Sequence, residues 1–297
     1  MSVTSFRNAS EGSLPKVTTQ SIFEKKQRRE PITCLTAYDY ASARLVDEAG
    51  IDMVLVGDSL AMVILGYENT LPVTMREMLH HTAAVRRGVK RALVIADMPY
   101  ASYHISKKDA LRNAAAFLKE AGAEAVKIEG GAKRVPLIER LTDAEIPVMG
   151  HIGLTPQSLH VMGGYKVQGK TLAAVEQLLK DAVALDRAGV FSIVLEGIPR
   201  EVAAMITAEV SAPTIGIGAG PECDGQVLVF HDILGLTFAP PAKFVRRYAD
   251  LGAAITHAVE NFKADVVSGH YPNDDESYHL PKETKAALEN LLARKVR

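Results

Sequence analysis

Four acids and one imidazole stand where short apolar runs end: Asp58, Asp97, Glu129, His151 and Glu196. Asp58, Asp97 and Glu129 have no arginine beside them in sequence. Three carboxylates brought together without a counter-charge repel one another and are pushed toward their protonated forms. A divalent cation relieves that repulsion, and an oxygen-rich ligand set with few thiolates or imidazoles favours Mg2+. Lys127 lies two residues before Glu129, so on a strand both side chains leave the same face. A lysine placed there could pair with a substrate carboxylate, form a Schiff base or make a structural ion pair. His151 could ligate metal, relay a proton or pack in the core, and a supporting hydrogen-bonding role fits a single histidine best. Acids also end strands simply because turns accept them. Four acids on four of five consecutive strands are harder to assign to that cause.

These residues converge only if the fold brings strand ends together. Eight short apolar runs recur along the chain: Ile32–Asp39, Met53–Ser59, Leu93–Pro99, Ala125–Gly131, Val148–Leu154, Ser192–Ile198, Thr214–Gly220 and Gln226–Phe230. Their near-continuous hydrophobicity is that of strands buried on both faces of a parallel sheet. Helices are expected between them. Thr74 with Glu77 has the spacing of a capping box for a helix to Gly88, and Ser106 with Asp109 opens another that ends near Gly122. Lys170–Ala188, Arg200–Val210 and a long last helix over Pro241–Lys263 complete the set. Gly50, Gly122 and Gly189 each follow an Ala and precede a strand, as left-handed helix stops do. Asp58 lies eight residues after Gly50, Glu129 seven after Gly122 and Glu196 seven after Gly189, which sets each acid at a strand's carboxyl end. The pattern is that of a (β/α)8 TIM barrel, whose active-site face is formed by those ends. One joint resists: Pro221–Gly225 is too short for a crossover helix, so either that helix is reduced to a turn or a strand is misplaced.

Composition narrows the function. The chain has 297 residues, 47% hydrophobic and 23% charged, with Lys+Arg 34 against Asp+Glu 35 and a net charge of -1. No basic excess for nucleic acid or anionic lipid exists. Two cysteines, Cys34 and Cys223, exclude a disulfide scaffold and favour a reducing, cytoplasmic setting. No apolar run approaches the roughly 18 residues of a membrane span, and the first ten residues read as a frayed tail. Ile215–Gly220 is glycine-rich, but Pro221 blocks the helix that a nucleotide fingerprint needs. His80-His81 are neighbours on a helix and do not face one target. The polar, glycine-rich segment from Thr155 to Lys170 follows the fifth strand, where a barrel carries a lid.

Several blocks of this sequence resemble the 3-methyl-2-oxobutanoate (ketopantoate) hydroxymethyltransferase family: Val56–Leu60 (Val-Gly-Asp-Ser-Leu), Leu71–Thr74, His81–Gly88, Val126–Gly131 (Val-Lys-Ile-Glu-Gly-Gly), Gly150–Gln157, Gly163–Gly169 and Ile215–Gly220. They run in order and span Ile32 to His279. The resemblance implies a barrel of the phosphoenolpyruvate/pyruvate type. It implies transfer of a hydroxymethyl unit from 5,10-methylenetetrahydrofolate to 3-methyl-2-oxobutanoate, giving 2-dehydropantoate for pantothenate and coenzyme A synthesis, through a Mg2+-stabilised enolate. By resemblance, Asp58 and Asp97 bind one Mg2+ per subunit directly, with Glu129 as the third metal-site acid. Asp58, Ser59, Asp97 and Lys127 hold the keto acid, and Glu196 accepts the proton. A homo-oligomer, a decamer, is also implied. A Mg2+-dependent carbon–carbon lyase on the same barrel is the alternative, and it would need no folate. The expected organisation is a flexible extension over residues 1–30 followed by one catalytic barrel over 31–297 with C-terminal helices. Gly197, the acidic stretch Asn273–Ser277 and the N-terminal extension depart from the family pattern.

Overall fold

The computed structural model describes residues 15–295, and the frayed tail expected at the start lies outside them. Eight strands close into a parallel barrel in sequence order: β1 (Ile32–Thr36), β2 (Met53–Val56), β3 (Leu93–Asp97), β4 (Ala125–Glu129), β5 (Val148–Gly153), β6 (Ser192–Glu196), β7 (Thr214–Ile217) and β8 (Gly225–Leu228). β8 pairs in parallel with β1 and completes the ring. All eight expected strands are present; the sequence reading overran their carboxyl ends, where the chain turns to carry polar groups.

Alternation along the strands sorts the core into two layers. Met53, Leu55, Leu93, Ile95, Ala125, Met149, Val194, Ile215 and Val227 pack with one another inside the barrel. Val54, Val56, Val94, Ala96, Val126, Ile128, Ile193 and Leu195 belong to a second cluster beneath the helices. Following the inward set upward, β3 ends on Asp97, β4 on Lys127 and Glu129, and β6 on Glu196. The period that buries Ile95 in the barrel therefore delivers Asp97 to its mouth.

The helices hold this ring in place. Thr74 and Glu77 form the expected capping box on helix Met75–Gly88, and Ser106 caps helix Lys107–Lys119. Each such cap satisfies N–H groups that the first turn leaves unpaired. Gly50, Gly122 and Gly189 have φ of 81°, 74° and 86°, the left-handed stops inferred from sequence. Between β7 and β8 the crossover helix is absent, and residues 218–224 cross as turns and bends. The two strands share only the pairs Ile215↔Gly225 and Gly216↔Gln226. A side chain at 225 would collide with the Ile32 carbonyl, so glycine is required there.

Two expectations are corrected. Residues 15–30 do not form a flexible extension. Helix Thr19–Arg28 is capped by Thr18 and Ser21, and its Ile22, with Val17, is buried against the inner residues of the barrel. Lys25 reaches Asp52 at 2.7 Å and Lys26 reaches Asp224 at 2.9 Å, so the segment is fixed by apolar packing and ion pairs together. The long last helix begins at Leu251 and runs to Ser268 instead of covering Pro241–Lys263. Phe244 packs on Gly218 at the end of β7, and that contact takes the preceding segment off a helical path. By internal contacts the chain divides into two units, one with the barrel and residues 237–247, the other with residues 234–236 and 248 onward. The second contains helices Leu251–Ser268 and Lys282–Lys295.

Ile22→Ala is expected to cost about 2–5 kcal/mol, the range for truncating a buried isoleucine. Urea unfolding reads this directly, and an unchanged midpoint would show that the N-terminal helix stands outside the cooperative fold.

Candidate active site

Strand register sets the site's lateral order. Asp97 on β3 pairs with Lys127 on β4, and Glu129 on β4 pairs with His151 on β5. Glu196 on β6 pairs with Gly153, two residues beyond His151. Asp58 lies two residues past β2, and its backbone N–H donates to Asp97 Oδ2 at 3.2 Å. Asp58, Asp97, Lys127, Glu129 and His151 are all buried, whereas Glu196 is half-buried. The sequence-inferred residues are thus gathered at one mouth.

The central group is the Lys127 ammonium. Its Nζ lies 2.9 Å from Asp97 Oδ2, 3.6 Å from Glu129 Oε1 and 3.3 Å from His151 Nδ1. Burial alone would discharge this lysine, but Asp97, Glu129 and Asp58 outweigh it and hold the ammonium above its ordinary pKa. Burial, then repulsion from Asp97 and Glu129, drives Asp58 well above the usual carboxylate range. Burial also raises Asp97; Lys127 works against the rise and Glu129 adds to it. Glu129 goes the other way, because Lys127 and His151 overcome its burial. Burial and Lys127 both disfavour a charged His151, yet the carboxylates of Glu129 and Glu196 lift it to about 9. Burial and the expected mutual repulsion raise Asp58 and Asp97, whereas Lys127 and His151 keep Glu129 charged.

The mouth retains unmet polar capacity. Asp97 Oδ1 is buried without a hydrogen bond, whereas Glu129 Oε1 faces Lys127 Nζ at 3.6 Å and His151 Nδ1 at 3.3 Å, and His151 Nε2 lies 3.3 Å from Glu196 Oε2. Among the described residues, no three His, Cys, Asp or Glu side chains are preset around one metal position. The donor set nevertheless fits a hard divalent cation: it consists of carboxylate oxygens, Asp97 Oδ1 among them without a hydrogen bond, and two of the acids resist ionising without added positive charge. Asp58 and Asp97 with Glu129 are the residues that would hold it.

Ser59 receives a hydrogen-bonding partner that the sequence did not disclose, the buried Tyr38, whose hydroxyl lies 2.8 Å from Ser59 Oγ. Two further residues escaped the sequence reading. Gln157 Nε2 donates to Asp58 Oδ2 at 2.9 Å and to the Met98 carbonyl at 3.0 Å, and its backbone N–H donates to Glu129 Oε2 at 3.0 Å. Tyr103 donates to Gln157 Oε1 at 2.7 Å and accepts from the Glu129 N–H at 3.2 Å. A neutral amide in a loop and a tyrosine past a strand end carry no charge pattern or periodicity. The available signals were the family-like block that Gln157 closes and Pro156, which opens a 3-10 turn over Pro156–Ser158. The rest of this loop spans the mouth's edge: Tyr165 reaches Met62 Sδ at 3.8 Å, and Gln168 N–H is held by the Gly197 carbonyl at 2.8 Å.

Lys127→Met should leave the buried acids without their internal counter-charge. A loss of about 3–5 kcal/mol is expected, the cost of breaking a buried ion pair from one side. Urea unfolding in EDTA measures it, and a variant as stable as the parent would show that Lys127 does not hold the acids together.

Residues 16–274 match the sequence profile of the family described as ketopantoate hydroxymethyltransferase. The 3-methyl-2-oxobutanoate hydroxymethyltransferase of Koribacter versatilis (strain Ellin345) is 72% identical over 280 residues, covering 94% of this chain and 95% of that protein. The enzyme of the same name from Syntrophomonas wolfei subsp. wolfei is 55% identical over 91% of this chain and 98% of its own length. Among solved structures, 2,3-dimethylmalate lyase, a PEP mutase/isocitrate lyase superfamily member, superposes with a TM-score of 0.57 over 95% of this chain and 98% of that one. At 19% identity it shares the barrel, and the likeness carries no activity.

Proposed function

Because this chain belongs to the ketopantoate hydroxymethyltransferase family, which adds a hydroxymethyl group to 3-methyl-2-oxobutanoate to form 2-dehydropantoate, we propose how its barrel mouth performs that transfer. The observation that carries the reading is the buried row of Asp97, Lys127, Glu129 and His151, which leads across neighbouring strands to the half-buried Glu196.

In this reading Lys127 and Ser59 hold the substrate carboxylate. Lys127 has three donors, one of them spent on Asp97 at 2.9 Å, and Ser59 Oγ is steadied by Tyr38. Glu196 takes the proton from C3. Its placement beside a charged His151 keeps the base oriented while its partly exposed face meets substrate. Asp58 and Asp97 directly, with Glu129 as the third acid, would hold Mg2+, one per subunit. When bound, that cation supplies Lewis acidity to the keto acid oxygens, making the C3 proton accessible to a carboxylate base. Water adds to the methylene carbon of 5,10-methylenetetrahydrofolate, and its bonds to N5 and N10 break as tetrahydrofolate leaves with a proton on each nitrogen. The electron pair left at C3 forms the new bond to the resulting formaldehyde-level carbon, whose oxygen takes up the abstracted proton and becomes the hydroxyl. The loop through Gly163–Lys170, anchored at Gly197 and touching Met62 through Tyr165, is placed to limit water at that stage.

Family membership also supports the folate donor and a homo-oligomer, a decamer. Among the described residues no helix is long and apolar enough to cross a membrane, and a cytoplasmic location accords with the two free cysteines.

Glu196→Gln should lower deuterium exchange at C3 of the keto acid by about 10²–10⁴-fold, the usual contribution of a positioned base, while keto acid affinity stays within a few-fold. Proton NMR of the C3 position reads the exchange, and wild-type exchange in the variant removes Glu196 as the base. Asp58→Ala, by contrast, is expected to abolish Mg2+-dependent keto acid binding in calorimetry. Unchanged binding would take Asp58 out of the metal site.

A further inference from the structure

We propose that Gln157 is a positioning residue for the cation site, orienting the carboxylates of Asp58 and Glu129 from the base of the loop that follows β5. The inference rests on the reading of Asp58, Asp97 and Glu129 as the acids that hold the divalent cation.

Gln157 is 5% exposed and hydrogen-bonds two of those acids, which come from different strands. Its side-chain amide takes Oδ2 of Asp58, and its main-chain N–H takes Oε2 of Glu129. In Glu129 this leaves Oε1, which faces Lys127 Nζ at 3.6 Å and His151 Nδ1 at 3.3 Å. One oxygen of each carboxylate is thus tied to Gln157, which fixes the rotation of both groups.

The amide is itself fully constrained. Nε2 spends its donors on Asp58 and the Met98 carbonyl, and Oε1 accepts from Tyr103. Tyr103 also receives the Glu129 N–H, so the strand end, its carboxylate and the amide form one connected set. These partners determine which way the amide faces. Residue type follows from the same geometry. A glutamate at 157 could not donate to Asp58 and would add a negative charge among buried carboxylates. An apolar side chain would fill the space but release Asp58 to rotate. Groups that hold metal-binding carboxylates in this way commonly govern cation affinity by about 10–100-fold.

The test is Mn2+ alone, titrated into the full chain and followed by electron paramagnetic resonance, with melting in EDTA recorded alongside. Gln157→Leu is expected to bind Mn2+ about 10–100-fold more weakly than the parent while folded. Tyr103→Phe keeps the ring and removes the donor to Gln157 Oε1, and a few-fold weakening is expected. It serves as the test if Gln157→Leu does not fold. Parental Mn2+ affinity in the folded Gln157→Leu variant, or in Tyr103→Phe where only that variant folds, overturns the proposal. A lowered melting temperature with parental affinity would mark a purely structural role. Failure of the parent chain to bind Mn2+ would instead overturn the acid-site reading, and this inference with it.

Discussion

A single buried ammonium makes the mouth of this barrel possible. Lys127 stands between Asp97 and Glu129, with His151 beside it, in a place where carboxylates without positive charge are costly to ionise. The lysine settles Glu129 in its charged form yet leaves Asp58 and Asp97 displaced toward neutrality. The site is thus held together and still short of positive charge. A divalent cation would relieve that residual deficit, and Asp97 Oδ1 is a buried oxygen left there without a hydrogen bond.

The barrel supplies what no local segment could. Residues separated by 99 positions, Asp58 and Gln157, meet because β2 and β5, which are not neighbours, end at the same mouth of a closed parallel ring. Beneath them, Met53, Ile95, Met149 and their neighbours fill the interior. Ile22 packs against that layer from the N-terminal helix. The interior is therefore solid, and the polar groups above it sit on a rigid apolar floor.

Much of this was legible in the sequence because it depends on periodicity and local chemistry. Buried strands announced themselves by continuous apolar runs, and the stops at Gly50, Gly122 and Gly189 need only a left-handed residue before the next strand. The acids could be placed at strand ends by counting from those stops. Other features were hidden because they arise from contacts distant in sequence. Helix Thr19–Arg28 has a polar composition that gives no hint of Ile22 packing against the barrel interior. The segment after Pro241 contains helix-forming residues, but Phe244 against Gly218 decides its course. Gln157 and Tyr103 are neutral, and their importance lies wholly in which carboxylates they meet. The resemblance carried by the strand-end motifs identified the family; the structure adds how its acids are balanced.

On the proposed reading, this balance of acids and lysine makes a carbon acid of the bound keto acid before any one-carbon donor arrives. It is tested most directly by solvent deuterium exchange at C3 of 3-methyl-2-oxobutanoate with the wild-type chain, in Mg2+ and in EDTA, without folate. Exchange in Mg2+ that EDTA abolishes is the predicted result. Exchange equally fast in EDTA would contradict the claim that the acids work with a divalent cation, and no exchange in either, even with tetrahydrofolate added, would contradict the proton abstraction itself.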